Sequence, residues 1–158
     1  MRITKSLILS LIGGIVLLST SSCKKCEVGE SIDSGIIVQD VIIYPTGGYM
    51  TSNLNGNYHI TGSHNYADRF EVSFDGGYTR QAVNYGTYDI LANPMTINCE
   101  ASFTRDVTVD ALNNIVRYKV NALTCSSCKN ARFVENYVLV PKLSSGATIL
   151  YSQDIDDQ

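Results

Sequence analysis

Tryptophan is absent from this chain, and ten tyrosines are the main flat rings available to it. Long hydrophobic runs are also missing. The best one, Leu7 through Leu18, is broken by Ser10, Gly13 and Gly14, whereas a spanning helix needs about 20 apolar residues to cross a hydrocarbon core of roughly 30 Å. A retained transmembrane anchor is therefore not expected. Excess positive charge is lacking too: twelve Lys and Arg stand against fifteen Asp and Glu. That balance lacks the electrostatic footprint of a nucleic-acid binder. Histidine occurs only at positions 59 and 64, neither at ligand spacing from a cysteine, and the close pair Cys125-Ser126-Ser127-Cys128 has no second pair to complete a zinc site. A redox role for that pair needs a βαβ setting, which the pattern does not offer. No GxSxG nucleophile elbow is present, and no long stretch carries helical period.

What is present begins at the N-terminus. Arg2 and Lys5 supply a positive region, the apolar run follows, and Ser19-Thr20-Ser21-Ser22 precede Cys23, which is the layout of an export signal. Residues 1–22 are expected to be a signal peptide that is removed, and 23–34, with Glu27, Glu30 and Asp33, a polar tether. Residues 35–153 are expected to form one β-rich domain and 154–158 an acidic tail. Removal of the signal leaves 136 of 158 residues at a formal charge of −5, one ordinary domain with enough chain for a core. Beyond Cys23 the exported part carries Cys26, Cys99, Cys125 and Cys128. An even set in an exported chain suggests disulfides, and four cysteines allow three connectivities. The preferred arrangement joins Cys99 to Cys125 or Cys128 and the remaining thiol to Cys26.

Short apolar or alternating runs, separated by Gly, Asn and Asp clusters, give an all-β pattern. Strands are predicted within 36–43, near 58–61, at 70–74 with a return at 79–83 after Asp75-Gly76-Gly77, at 88–92, at 133–140 and at 147–151. The cleanest signal is Ile97-Cys99-Ala101-Phe103 and then Val107-Val109 on one face, with Asn98, Glu100, Ser102, Thr104, Asp106 and Thr108 on the other. Arg105 interrupts the apolar face and is read as a bulge or an edge. After a turn at 110–114, Val116-Tyr118-Val120-Ala122 alternate with Arg117, Lys119 and Asn121, so the two runs predict a hairpin whose Glu100 and Asp106 face Arg117 and Lys119. The expected fold is a single-domain antiparallel β-sandwich or small β-barrel of eight or nine strands.

Candidate chemistry is sparse. His59, Ser63, His64 and Asp68 lie close in sequence, but triads are defined by geometry, so no catalytic residue is named. Residues 53–57, reading NLNGN, have oxygen ligands at alternate positions but lack the aspartates and closing glutamate of a calcium loop and read as an Asn-Gly turn. No metal or cofactor is expected. Tyr44, Tyr49, Tyr58, Tyr66 and Tyr78 fall in or near predicted turns and are the candidate ligand-binding surface, since rings stack on sugars while hydroxyls bond to water or ligand. The leading expectation is a non-enzymatic binding or scaffold module; the alternatives are an envelope hydrolase and a protease-inhibitor-like module with one rigid protruding loop.

Ser21-Ser22-Cys23 resembles the lipobox of bacterial lipoproteins, with Thr20 where leucine is usual. The resemblance implies cleavage before Cys23, with diacylation of its sulfur and acylation of the new amine by palmitate-type chains. Each buried CH₂ of such chains contributes about 0.8 kcal/mol. Val83-Asn84-Tyr85, Tyr88-Asp89-Ile90-Leu91, Cys99, Cys125-x-x-Cys128 and Tyr137 through Lys142 resemble small uncharacterised Bacteroidetes-type envelope lipoproteins. That likeness implies class and location at the cell envelope, with no activity. The expected setting is lipid-anchored at the outer membrane, with an unknown envelope protein or glycan as partner and no nucleic acid. Pro45-Thr46-Gly47-Gly48-Tyr49 separately resembles a turn of a protease-complex-associated β-domain family, whose pieces run in another order.

Overall fold

The alternation of apolar and polar residues becomes strand pairing in the computed structural model, which describes residues 29–46, 56–98, 100–124 and 130–157. Twelve strands lie among these residues: β1 (Ile32–Gly35), β2 (Ile42–Pro45), β3 (Tyr58–Ile60), β4 (Phe70–Ser73), β5 (Gln81–Ala82), β6 (Tyr88–Ala92), β7 (Met95–Asn98), β8 (Ala101–Asp110), β9 (Ile115–Thr124), β10 (Ala131–Val134), β11 (Tyr137–Pro141) and β12 (Thr148–Asp157). The described helical structure is one 3-10 turn, Ala67–Arg69. The protein is all-β, and among the described residues its sheets are open, with no closed barrel.

The predicted hairpin of β8 and β9 forms the centre of a four-stranded sheet of order β1-β8-β9-β12. Asp110 begins its turn by accepting the N–H and side-chain amide of Asn113, and Asn114 takes a positive φ of 52°, a conformation asparagine tolerates. The expected charge register holds at Asp106 opposite Lys119. Buried Val116, Tyr118, Val120, Ala122 and Thr124 alternate with outward residues along β9.

The middle sheet, of order β11-β6-β3, is buried on both faces. Leu91, Val138 and Val140 pack against Val107, Val116, Tyr118 and Val120 of the four-stranded sheet. Ile60, Ile90 and Leu139, on the other face, pack against Phe70 and Val72 of the outer sheet β2-β4-β5. This is why β6 and β11 read as nearly continuous apolar runs without alternation. The result is a sandwich extended by a third layer, with a core on each side of the middle sheet.

Several expectations change. The strands number twelve rather than eight or nine because two long runs divide and β1 forms ahead of the first predicted run. The 133–140 run divides at Glu135 and Asn136, where Asn136 has φ 45°, and the 97–109 run divides between β7 and β8, which lie in different sheets. The sheet is not purely antiparallel. β1 runs parallel to β8 and β12 parallel to β9, as the long connections between them permit. β1 starts inside the segment read as a tether, and β12 runs on to Asp157 through the segment read as an acidic tail. Of the 36–43 run only its end is strand. The rest crosses between layers with Ile37 buried, the Ile36 N–H on Val107 O and the Val38 N–H on Leu139 O. Gly35 starts that crossing at φ 72°, where a Cβ would stand 2.0 Å from the Val107 carbonyl oxygen. Arg105 marks neither a bulge nor an edge, for β8 is paired in unbroken register with β9 and is flanked by β1.

Candidate functional site

Asp89 is the one charged residue of the β6 run, and its carboxylate is fully buried. Its Oδ1 accepts from Lys142 Nζ at 2.7 Å, while its Oδ2 accepts from His59 Nε2 at 2.9 Å and from the Leu143 N–H at 3.1 Å. An ionised carboxylate only accepts, so Nε2 carries the proton and Nδ1 is the acceptor in the neutral ring. Burial by itself raises the Asp89 pKa. The hydrogen bonds from Lys142, His59 and Leu143 outweigh it and hold the carboxyl below its ordinary value. His59 and Thr61 come from β3 and its exit, Lys142 through Ala147 from the connection into β12, and together they line a cavity of about 260 Å³. The cluster pins that connection onto the middle sheet. Chemically it is a histidine–aspartate pair, but no described hydroxyl bonds to His59. Thr61 and Ser63 pair with each other at 3.0 Å, and Ser144 bonds to Asn114.

A second polar group guards the opposite side of the core. Arg105 Nε and Nη2 grip Asp33 at 2.6 and 2.9 Å, and Nη1 donates to Tyr137 O at 3.2 Å. Asp33 is the cross-strand neighbour of Arg105 in β1. The pair lies in a groove of about 410 Å³ between β1, β2 and β11, lined mainly by apolar residues with Ser31, Glu135 and Asn136 among them.

The third feature is the outer edge of β12. Among the described residues no strand pairs with it. Buried Asn93 directs Nδ2 to the carbonyls of Tyr118 and Ser152, at 3.4 and 3.0 Å, so both carbonyls lie between β9 and β12. A residue of a parallel strand aims its N–H and C=O to the same side, and successive residues alternate. The Ser152, Asp154 and Asp156 backbones therefore face β9, while Ile149, Tyr151, Gln153, Ile155 and Asp157 face the open side. The Ile155 N–H is accordingly bonded to Asp154 Oδ1, at 3.1 Å.

The candidate tyrosines do not share one platform. Tyr44 lies on β2 with the Arg80 guanidinium 3.8 Å above its ring. Tyr58 and Tyr66 flank His64, with ring centroids 6.1 and 5.3 Å away, and pack onto the second core. Tyr78 stands 93% exposed in the β4–β5 hairpin, whose turn is held by Asp75 accepting from Ser73 Oγ and the Thr79 N–H, bonds that lower its pKa to about 2. His59 and His64 have different partners, and Asp68 sits exposed on the 3-10 turn. Tyr49, residues 53–55 of the NLNGN turn, and Cys23, Cys26, Cys99, Cys125 and Cys128 lie outside the described residues. Sequence reasoning passed over Asp89 and Lys142; the signal was a lone carboxylate inside an apolar strand, which must find donors if it is buried. No protein-family model, curated protein or solved structure matches the chain.

Proposed function

We propose that this is a lipid-anchored lipoprotein of the bacterial envelope whose β-domain is a non-enzymatic binding or scaffold module for another envelope component. The observation that carries the binding reading is the edge of β12, ten residues long and unpaired among the described residues. A free edge offers a row of backbone donors and acceptors, one of the recurring modes of peptide recognition. The charge, run length and small residues before Cys23 support export, and the lipobox resemblance supports acylation. The acyl chains would hold the domain at a bilayer.

The position of the described strands supports the proposed disulfide of Cys99 with Cys125 or Cys128. β8 pairs with β9 at Ala101 and Thr124, and β7 pairs with β10 at Asn98 and Ala131. The connection that carries Cys99 and the connection that carries the CxxC pair thus leave from the same two rungs.

Capture of the native lipoprotein from detergent-solubilised envelope, followed by mass spectrometry, tests the module reading. A reproducible stoichiometric partner supports it, and recovery of the lipoprotein alone counts against it. Intact mass should show acyl chains on Cys23; an unmodified Cys23 overturns the anchor. A non-reducing peptide map showing free Cys99 overturns the disulfide. The rival reading, an envelope hydrolase, draws on the His59–Asp89 pair beside its cavity. It predicts an activity abolished by His59→Ala with the fold intact.

A further inference from the structure

We infer that the open side of β12 takes an extended, basic segment of a partner protein as an added strand. The inference rests on the binding-module reading and names the chemistry of the partner. Five residues of β12 direct their backbone groups outward, over a strand of ten residues, roughly 33 Å at about 3.3 Å per residue. Proteins commonly protect such edges by keeping them short or by setting lysine on them. This one is long and carries neither lysine nor arginine.

Its charge is of one sign and concentrated. Asp154, Asp156 and Asp157 are exposed, and the register opposes residues 154–157 with Asn121, Ala122, Leu123 and Thr124. The cations of β9, Arg117 and Lys119, stand opposite Leu150 and Ser152 instead. The acidic half therefore has no cation across from it on β9. Asp154 now satisfies the outward N–H of Ile155. An incoming strand would supply a carbonyl to that N–H, and a lysine or arginine on the strand would take the released carboxylate. Leu150 and Ile155, 42% and 46% exposed, lie on opposite faces and give the added strand an apolar neighbour on each. A second copy of β12 would bring its own three aspartates to the edge of a domain already at −5, so charge favours a basic partner.

The test uses the folded mature chain and three labelled ten-residue peptides read by fluorescence anisotropy. One alternates lysine with valine and threonine, one is the same peptide N-methylated at alternate backbone positions, and one has glutamate in place of lysine. The lysine peptide should bind and weaken as salt is raised, with N-methylation weakening it at least tenfold and the glutamate peptide failing to bind. Ile155→Pro, which removes an outward N–H together with the Ile155 side chain and leaves the N–H groups facing β9 in place, and the double variant Asp154→Asn with Asp156→Asn should each weaken binding at least tenfold, with circular dichroism and melting showing the fold retained. Equal binding of the N-methylated peptide would overturn strand addition in favour of plain charge attraction. Failure of the lysine peptide, while the envelope capture still returns a stoichiometric partner, overturns this inference and leaves the module reading standing. Capture of the lipoprotein alone removes that reading itself. Sedimentation showing a dimer that Ile155→Pro dissolves makes the occupant a second copy and overturns the basic partner.

Discussion

At one edge of the four-stranded sheet lies β1, four residues long and gripped by side chains; at the other lies β12, ten residues long, laddered to β9 along its whole length and pinned by side chains as well. β1 is secured by the Arg105–Asp33 pair, by Ser34 Oγ donating to Asp106 Oδ1 at 2.6 Å, and by Ser31 Oγ accepting the Phe103 N–H at 3.1 Å. β12 is anchored at its start by the Thr148 N–H on Asn114 O, near its middle by Gln153 donating to Asn93 and Pro94, and at its end by Thr124 bonded to Asp157. A short edge fastened through side chains leaves little backbone to recruit a partner. A long edge fastened only on its inner side leaves its outer backbone groups available.

The sharpest way to break this comparison is proline scanning along β12. Asp156→Pro removes an N–H that faces β9 and should cost up to about 3 kcal/mol through the orphaned ladder acceptor, whereas Ile155→Pro should cost under about 1 kcal/mol, since proline is tolerated where an edge N–H faces solvent. Equal costs in urea denaturation would refute the alternation of inner and outer residues, and a reversed order would invert it. Next in size is Lys142→Met, which leaves the buried Asp89 carboxylate with weaker partners and should cost about 3 kcal/mol. Amide exchange should then quicken first in the connection that feeds β12. Because the folded pKa of Asp89 is lowered, the unfolded chain binds more protons in acid. The stability from this group is present above the ordinary carboxylate value and is lost as pH falls through the lower folded one. Asp89→Asn should flatten that part of the stability profile measured between about pH 2 and pH 5.

Arg105→Ala comes third, at about 2 kcal/mol for its charged hydrogen bonds. Exchange should rise in β1 while β12 stays protected; loosening of both edges together would mean that the edges are not independent. The smallest effect is expected from Asp154→Asn with Asp156→Asn, within about 0.5 kcal/mol in stability, even though it should alter what the edge binds.

The β8–β9 hairpin was legible in the sequence because one face of it is wet, so period two survives in the composition. The middle sheet was less legible. Buried on both faces, β6 and β11 show nearly continuous apolar runs that give their existence without their neighbours. Arg105 stood out as an interruption of the apolar face, but its role depends on Asp33, more than seventy residues earlier. Asp89 posed the same difficulty, because His59 and Lys142 reach it from β3 and from the far end of β11. The tyrosines looked like one surface because they cluster in or near turns, yet Tyr44 and Tyr78 belong to the outer sheet and Tyr58 to the middle one.

The sequence by itself determined the β class, the turns at 75–77 and 110–114 and the pairing of β8 with β9, because each depends on residues near one another along the chain. Only the tertiary structure decided the three layers, the parallel partners of β1 and β12, and the engagement of Asp89 by His59 and Lys142. It also left the outer side of β12 unpaired among the described residues. Those depend on which distant segments can satisfy one another's backbone groups and buried charge, and that choice is made only when the layers pack.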